Sequence, residues 1–361
     1  MARVIVTGSG GIGGVNFVRA LRLAEITKKI KYFIVGTDYN EYHILFPQVD
    51  LRIRSPRHDD PSFMPLLLDI AKRHSIQFLH PHPSSEAKIV SKNRDKLDEI
   101  GVKYYLPRPE EIAPDKGTIY ERMRAENVPV PSTLFINSLD DLDSAFSKLG
   151  SPLWMRAKTG AGGRLSLKVN SVEEAKRWIE LNVLQGRAKP SDFIVQEYLP
   201  GRDLAFDSLW HNGKLITSYA RERLEYPFTH ISLSGVTGTP TVARIIHDGK
   251  VTEVGIAAVK ALSPMPHGFY SVDIKEDADG KPKVTEVDGK WHTTAPLWGY
   301  AVSRLKNDII YNIAHVYIEI GLTDEIPDLP ERNLFPEGIY LIRHMDCGVL
   351  LKYKEEVLRI L

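Results

Sequence analysis

The sequence predicts an α/β unit followed by an α+β unit, and three observations carry that prediction. Strands and amphipathic helices alternate through the first hundred or so residues, the signature of a parallel sheet with helices on its faces. After VPVP (128–131) the order changes to strands joined by tight turns and interspersed with helices, which reads as antiparallel. Near residue 280, FYSVDIKEDADGKPKVTEVDGK forms an acid-bearing hairpin. An apolar, β-rich run meets an alternating one at Asp279-Gly280, a dipeptide that favours a two-residue type I′ turn.

In the first unit, RVIVT (3–7) is a buried strand, followed by a glycine-rich turn and a helix through about Ile26. KYFIVGT (31–37) is a second strand ending at Asp38. Pro65 to His74 is a helix, Ile76 to His80 a strand, Ser85 to Ile100 one helix and VKYYLP a further strand. The first domain closes at 113. Lys116 to Asn127 is a helix that VPVP ends. LFINS and PLWMRAK are strands, with a helix over Leu139 to Leu149 between them. A glycine-rich loop leads to SLKVN, a helix over Val172 to Leu184 and the strand FIVQEYL. DLAFDSLWHNGKLITSYARER folds into two strands meeting at Asn212-Gly213, and Lys250 to Leu262 is helical. The acidic hairpin follows, then a helix over Asn307 to Gly321 that closes a unit spanning 114–321. The remainder, 322–361, is a proline-rich connector, a strand-rich tail and a short terminal helix.

With 361 residues, 43% apolar and 26% charged, the chain is long enough for two or three domains with real cores. Basic and acidic residues balance, 47 against 46, so no charge excess points to nucleic acid or an anionic membrane. Cys347 is the one cysteine, which excludes an intrachain disulfide and a Cys-based zinc site. MARVIVTGSG lacks a signal-peptide layout and no apolar run has the length of a membrane span, so the expected compartment is the cytoplasm. No internal repeat stands out.

The hairpin is the most informative candidate site. A two-residue turn sets Asp273 opposite Glu286, and Asp288, two residues on, points to the same face. Carboxylates opposed across strands repel unless a cation lies between them, and an all-oxygen acidic cluster suits Mg²⁺ or Mn²⁺. A solvated acidic hairpin would give the same pattern. Gly8, Gly10 and Gly13 fit G-x-G-x-x-G at a strand-to-helix turn, with Asp38 placed for a ribose, a dinucleotide fingerprint. The same glycines also serve close helix–strand packing. TGAGGRLS (159–166) is a second glycine-rich loop, here between strands and without the P-loop Gly-Lys-Ser/Thr. Such a loop can fold over phosphates and donate backbone N–H groups, with Arg156 reaching the same oxygens; a plain hairpin with a surface arginine is the alternative. Backbone groups at Glu197, Tyr198 and Leu199 are suited to an adenine edge, and Asp203 to a ribose. Arg221 and Arg223 share a strand face, either binding an anion or solvated. His80 and His82 share one too, and without a third ligand nearby they read as structural.

In this order the parts resemble the ATP-grasp superfamily, in particular carboxylate–amine ligases similar to one half of a carbamoyl-phosphate synthetase large chain. DKGTIYERMRAENVPVP, PLWMRAKTGAGGRLSLKV, IVQEYLPGRD and VDIKEDADGKPKVTEVDGK carry the resemblance, over about residues 1–321. It implies a Rossmann-like pre-ATP-grasp domain over 1–113 and a two-lobed ATP-grasp domain over 114–321, with a lid subdomain at about 132–200. It also implies ATP with Mg²⁺, Mn²⁺ being the alternative ion, and transfer through an acylphosphate to an amine. Lys116, Arg156, Gly160, Gly162 and Gly163 would hold phosphates, and Glu197, Tyr198, Leu199 and Asp203 the nucleoside. Asp273, Glu286 and Asp288 would hold metal, and Arg221, Arg223 and Lys290 would act at the reacting end. The family's usual residue at position 288 is Asn, so Asp288 departs from the pattern. Expected partners are small carboxylate and amine substrates, without nucleic acid or membrane, in a chain compatible with a homodimer. The rivals are an NAD(P)-dependent oxidoreductase using the N-terminal turn, or a catalytically degenerate nucleotide-binding protein.

Overall fold

In a computed structural model of the chain, the described residues are 1–28, 30–159, 163, 165–235, 237–344, 348, 350–353 and 356–359. The first sheet is parallel, in the order β3-β2-β1-β4: β1 (Ala2–Thr7), β2 (Tyr32–Asp38), β3 (Leu51–Arg54) and β4 (Phe78–Pro81). Its helices are α1 (Ile12–Lys28), α2 (Phe63–Arg73), α3 (Ser84–Lys92) and α4 (Arg94–Asp98). Helix α5 (Lys116–Ala125), capped by Asp115, whose side chain accepts from the Thr118 N–H, leads out of this layer.

The second sheet is antiparallel, in the order β5-β8-β6-β7: β5 (Thr133–Phe135), β6 (Leu153–Ala157), β7 (Leu167–Val169) and β8 (Phe193–Glu197). It carries α6 (Asp141–Leu149) and α7 (Val172–Leu184); Ser171 caps α7, and Glu173 and Glu174 occupy its first turn. The third sheet has six strands, in the order β13-β12-β9-β10-β11-β14: β9 (Asp203–His211), β10 (Lys214–Glu225), β11 (Val242–Ile246), β12 (Gly268–Glu276), β13 (Pro282–Asp288) and β14 (Tyr340–Ile342). Helix α8 (Gly249–Leu262) buries its apolar face on β9, β12 and β13. Helices α9 (Ala295–Lys306) and α10 (Ile313–Thr323) join α1 in a core that runs from the first sheet to the third, around Phe17, Trp298 and Tyr317. The last strands, β15 (Leu350–Tyr353) and β16 (Glu356–Arg359), pair with each other. No helix among the described residues is long and apolar enough to cross a membrane.

The mixed α/β character, with one parallel and two large antiparallel sheets, agrees with the sequence reading, and the turn at Asn212-Gly213 has both residues at positive φ (47° and 86°), as a type I′ turn requires. Several elements differ. VKYYLP is not a strand: Lys103 forms a single bridge to Phe78, then Pro107 ends the ladder and Tyr105 turns into the core, its hydroxyl donating to the Trp210 carbonyl at 2.6 Å. The helix over 85–100 breaks at Asn93, whose side-chain amide donates back to the Ile89 carbonyl. Asn312 caps α10 and a 3₁₀ turn precedes it, so the expected helix over 307–321 starts late. The terminal segment is β16, not a helix, because pairing with β15 satisfies backbone groups that one isolated helical turn could not hold.

The hairpin that matters most reaches its expected pairing by another route. The turn spans Asp277 to Lys281, with Gly280 at φ 73° and the Asp277 carboxylate accepting the Asp279 and Lys281 N–H groups. This loop is one residue longer than Asp279-Gly280 alone and shifts the register. A bulge between Asp273 and Ile274 shifts it back, so Asp273 does stand opposite Glu286.

Candidate active site

A cavity of about 370 Å³ lies between the second and third sheets. β6 brings Arg156, β8 leads to Glu197, Tyr198 and Leu199, β10 contributes Arg221 and Arg223, and β12 and β13 contribute Asp273 and Glu286. Gly163, at φ 72°, also lines it; Gly160 and Gly162 lie outside the described residues.

Glu286 stands among cations. Its carboxylate is 3.7 Å from Lys116 Nζ, 3.6 Å from Arg156 and 3.8 Å from Lys290 Nζ. These distances exceed those of charge-assisted hydrogen bonds, so the three cations hold the acid without saturating it. Burial pushes the Lys116 ammonium below its ordinary range and Arg156 adds to this, while Glu286 opposes both. For Lys290, Asp288 and Glu286 outweigh burial and raise its pKa.

Asp273 sits opposite, ion-paired with Arg223 and 3.0 Å from His292 Nε2. Burial pushes its carboxyl up, but Arg223 and then His292 outweigh burial and hold it well below the usual carboxylate range. Asp288 belongs to a different environment. Buried, it accepts the Ala113 N–H at 2.8 Å and pairs with Lys290 at 2.8 Å, and burial raises its pKa. Two of the three hairpin acids therefore face the cavity and the third anchors Lys290. Among the described residues no three His, Cys, Asp or Glu side chains form a ready metal-ion group.

The two arginines are not solvated. Arg221 is buried and ion-paired with Asp207, which is also buried; burial and the neighbouring Arg223 push its guanidinium down to about 9. Arg223 bonds Asp203 at 3.2 Å as well as Asp273, and the Tyr226 hydroxyl donates to Asp203 at 2.9 Å. At the other end of the cavity Glu197 accepts from the Ser132 N–H and from Lys283 Nζ, at 2.9 and 2.6 Å. Lys168 stands 4.5 Å from the Tyr198 ring centroid, and Leu199 is buried.

Sequence reading passed over Asp207, Ser271, Lys283 and His292. Asp207 accepts from Ser271 Oγ at 2.8 Å and contacts His292 Nδ1 at 2.7 Å. Alternation along β9 puts Asp207 on the same face as Asp203, a signal that was available in the sequence.

The N-terminal glycine turn looks different. A Cβ at Gly13 would lie 2.0 Å from His82 Nε2, one at Gly8 2.2 Å from Pro83, and one at Gly10 2.4 Å from the His43 backbone. Asp38 is buried and accepts the Gly10 and Asn40 N–H groups, both at 2.9 Å. These glycines serve close packing, and the acid expected at a ribose is spent on the backbone. His80 and His82 bond each other at 3.1 Å, and His80 stacks on Phe17 with centroids 3.7 Å apart.

No family model matches the chain. It is 29% identical over 180 residues to the glutamate–LysW ligase ArgX of Sulfurisphaera tokodaii, a match covering 49% of this chain and 60% of that protein. The chain thus spans less than two thirds of the length of this curated relative. Among solved structures, the L-amino acid ligase of Bacillus licheniformis superposes with a TM-score of 0.62 at 14% identity, over 90% of this chain and 74% of that one. The biotin carboxylase domain of the Hydrogenobacter thermophilus 2-oxoglutarate carboxylase, solved with MgADP, gives 0.63 at 16%, over 94% and 73%. These likenesses bear out the mixed α/β architecture, a parallel four-stranded sheet beside antiparallel ones.

Proposed function

From the ATP-grasp fold as premise, we propose that this chain is an ATP-dependent carboxylate–amine ligase that works through an acylphosphate and releases ADP and phosphate. The observation that carries the reading is Glu286 opposite Asp273 on the cavity wall, ringed by Lys116, Arg156 and Lys290. The domain division 1–113, 114–321 and 322–361, with a Rossmann-like first unit, belongs to the same proposal. So does a homodimer, which sedimentation would test.

Fit to a metal can be judged from the donors. Mg²⁺ is commonly held by one or two carboxylates together with substrate phosphates. Asp273 and Glu286 are such a pair, and the cations beside Glu286 stand too far off to be locked onto it. The ion, when bound, would neutralise charge on the transferring phosphoryl group. Lys116 and Arg156 hold the triphosphate, moving from Glu286 to its oxygens. Gly163 lines the cavity where the phosphates would lie, and covering them there would exclude water that hydrolyses an acylphosphate. The Glu197–Leu199 segment holds the base, its acid fixed by Lys283, and Asp203 faces the ribose. Arg223, backed by the Arg221–Asp207 pair, stabilises the oxyanion of the reacting carboxylate. Asp288 enters as the group that positions Lys290.

The relative's printed substrate suggests glutamate as a carboxylate to try first. Two measurements test the reading. ATP with Mg²⁺ at 100 times its dissociation constant should stabilise the fold by about 2.7 kcal/mol, with no effect of NAD⁺ or NADP⁺. An ¹⁸O-labelled carboxylate substrate should pass label to the released phosphate; phosphate free of label would sink the acylphosphate route.

A further inference from the structure

His292 is not among the residues that the hairpin motif would supply, yet it sits against Asp273. Its Nδ1 is 2.7 Å from Asp207 Oδ1, and Asp207 is wholly buried. Its Nε2 is 3.0 Å from Asp273 Oδ1 and 3.4 Å from the Arg223 guanidinium. A carboxylate can only accept, so Nδ1 donates to Asp207, while Nε2 faces both the Asp273 carboxylate and the Arg223 guanidinium. The main-chain N–H of His292 donates to Ser271 Oγ, which donates to Asp207, and this fixes the ring from a second side.

Nε2 and the Asp273 oxygen lie 3.0 Å apart, and an ion taking the place of a proton between them would draw one ligand atom from each. Arg223 contacts both of them. A separation of about 3.0 Å is also what two adjacent ligands have on an octahedral ion with bonds of about 2.1 Å. A ring nitrogen whose other N–H is held by a buried carboxylate is the usual arrangement of a metal-ligating histidine. Imidazole nitrogen favours first-row transition ions, whereas Mg²⁺ favours oxygen.

Resting on the ATP·metal reading above, we propose that His292 Nε2 is a nitrogen ligand to the divalent ion beside Asp273, with Asp207 as its orienting carboxylate. The site then binds Mn²⁺ more tightly than Mg²⁺. Arg223 gives way when nucleotide phosphates bring the ion in, and those oxygens complete a coordination shell that the described side chains alone do not form.

The test uses the full chain with Mn²⁺ and ADP carrying ¹⁵N in the adenine, so that the base adds no ¹⁴N signal. Electron spin-echo modulation of the bound Mn²⁺ should show ¹⁴N coupling, absent in His292→Asn. Asp207→Asn should weaken Mn²⁺ binding by about 10–100-fold. A Mn²⁺·ADP complex without ¹⁴N coupling in the unaltered protein overturns this inference and leaves the ligase reading standing. Coupling that persists in His292→Asn overturns it as well. If no Mn²⁺·ADP complex forms at all, both readings fall together.

Discussion

Two regions of this chain carry the lettering of a nucleotide site, glycines beside an acid, and their surroundings differ. At Gly8 to Gly13 the space above the glycines is filled by His43, His82 and Pro83, and Asp38 is held by two backbone N–H groups. At the β12–β13 hairpin, Asp273 and Glu286 border a cavity, and the partners of Glu286 are long side chains that can turn elsewhere. A carboxylate tied to main-chain N–H groups is part of the scaffold. One balanced by lysine and arginine side chains can exchange them for a metal and phosphates.

The contrast breaks first at Glu286. Glu286→Gln should lower Mg²⁺-dependent ATP turnover by on the order of 10²–10³-fold, the scale of losing one principal electrostatic group, with circular dichroism unchanged. Turnover within a few-fold of the unaltered protein would move the metal elsewhere.

The N-terminal region should respond in stability instead. Glu86, buried behind the glycine turn, is pushed up to about 7, first by burial and further by the charge of Asp38. A carboxyl whose pKa is higher folded than unfolded binds more protons when folded, so the fold loses stability as pH rises from about 4.5 to about 7. The loss is on the order of 3 kcal/mol. Glu86→Gln should remove it, leaving a melting temperature flatter between pH 5 and 8. Parallel profiles for both proteins would contradict this.

Gly13→Ala comes next. The new methyl meets His82, and overpacking of this kind costs roughly 1–3 kcal/mol. The melting temperature should drop while ATP affinity stays within about two-fold. The smallest effect is expected at Asp288: Asp288→Asn keeps an oxygen for the Ala113 N–H and should retain activity about ten-fold better than Asp288→Ala, which loses that bond and the hold on Lys290. Equal losses would make Asp288 an obligate anion.

Much of this was legible in the sequence because it is local. The Asn212-Gly213 turn, the helix over Val172–Leu184 and the alternation along β13 are each set by a few neighbouring residues. The hairpin pairing was read correctly for an incomplete reason, since a longer turn and a bulge offset each other. What stayed hidden depends on residues far apart in the chain. The Asp207–His292 contact joins residues 85 positions apart, and the pairing of Arg221 with Asp207 shows only when β9 and β10 are laid side by side. Nor does periodicity reveal that a glycine's missing Cβ has been filled by a histidine some 70 residues on.

Amide hydrogen exchange with and without ATP·Mg²⁺ compares the two regions in one experiment. The account predicts slowed exchange at 194–203 and 268–290, where base, phosphates and metal would lie, and no change at 8–14. Slowed exchange at 8–14 with none at the hairpin would contradict it and return the N-terminal turn to the centre of the molecule's function.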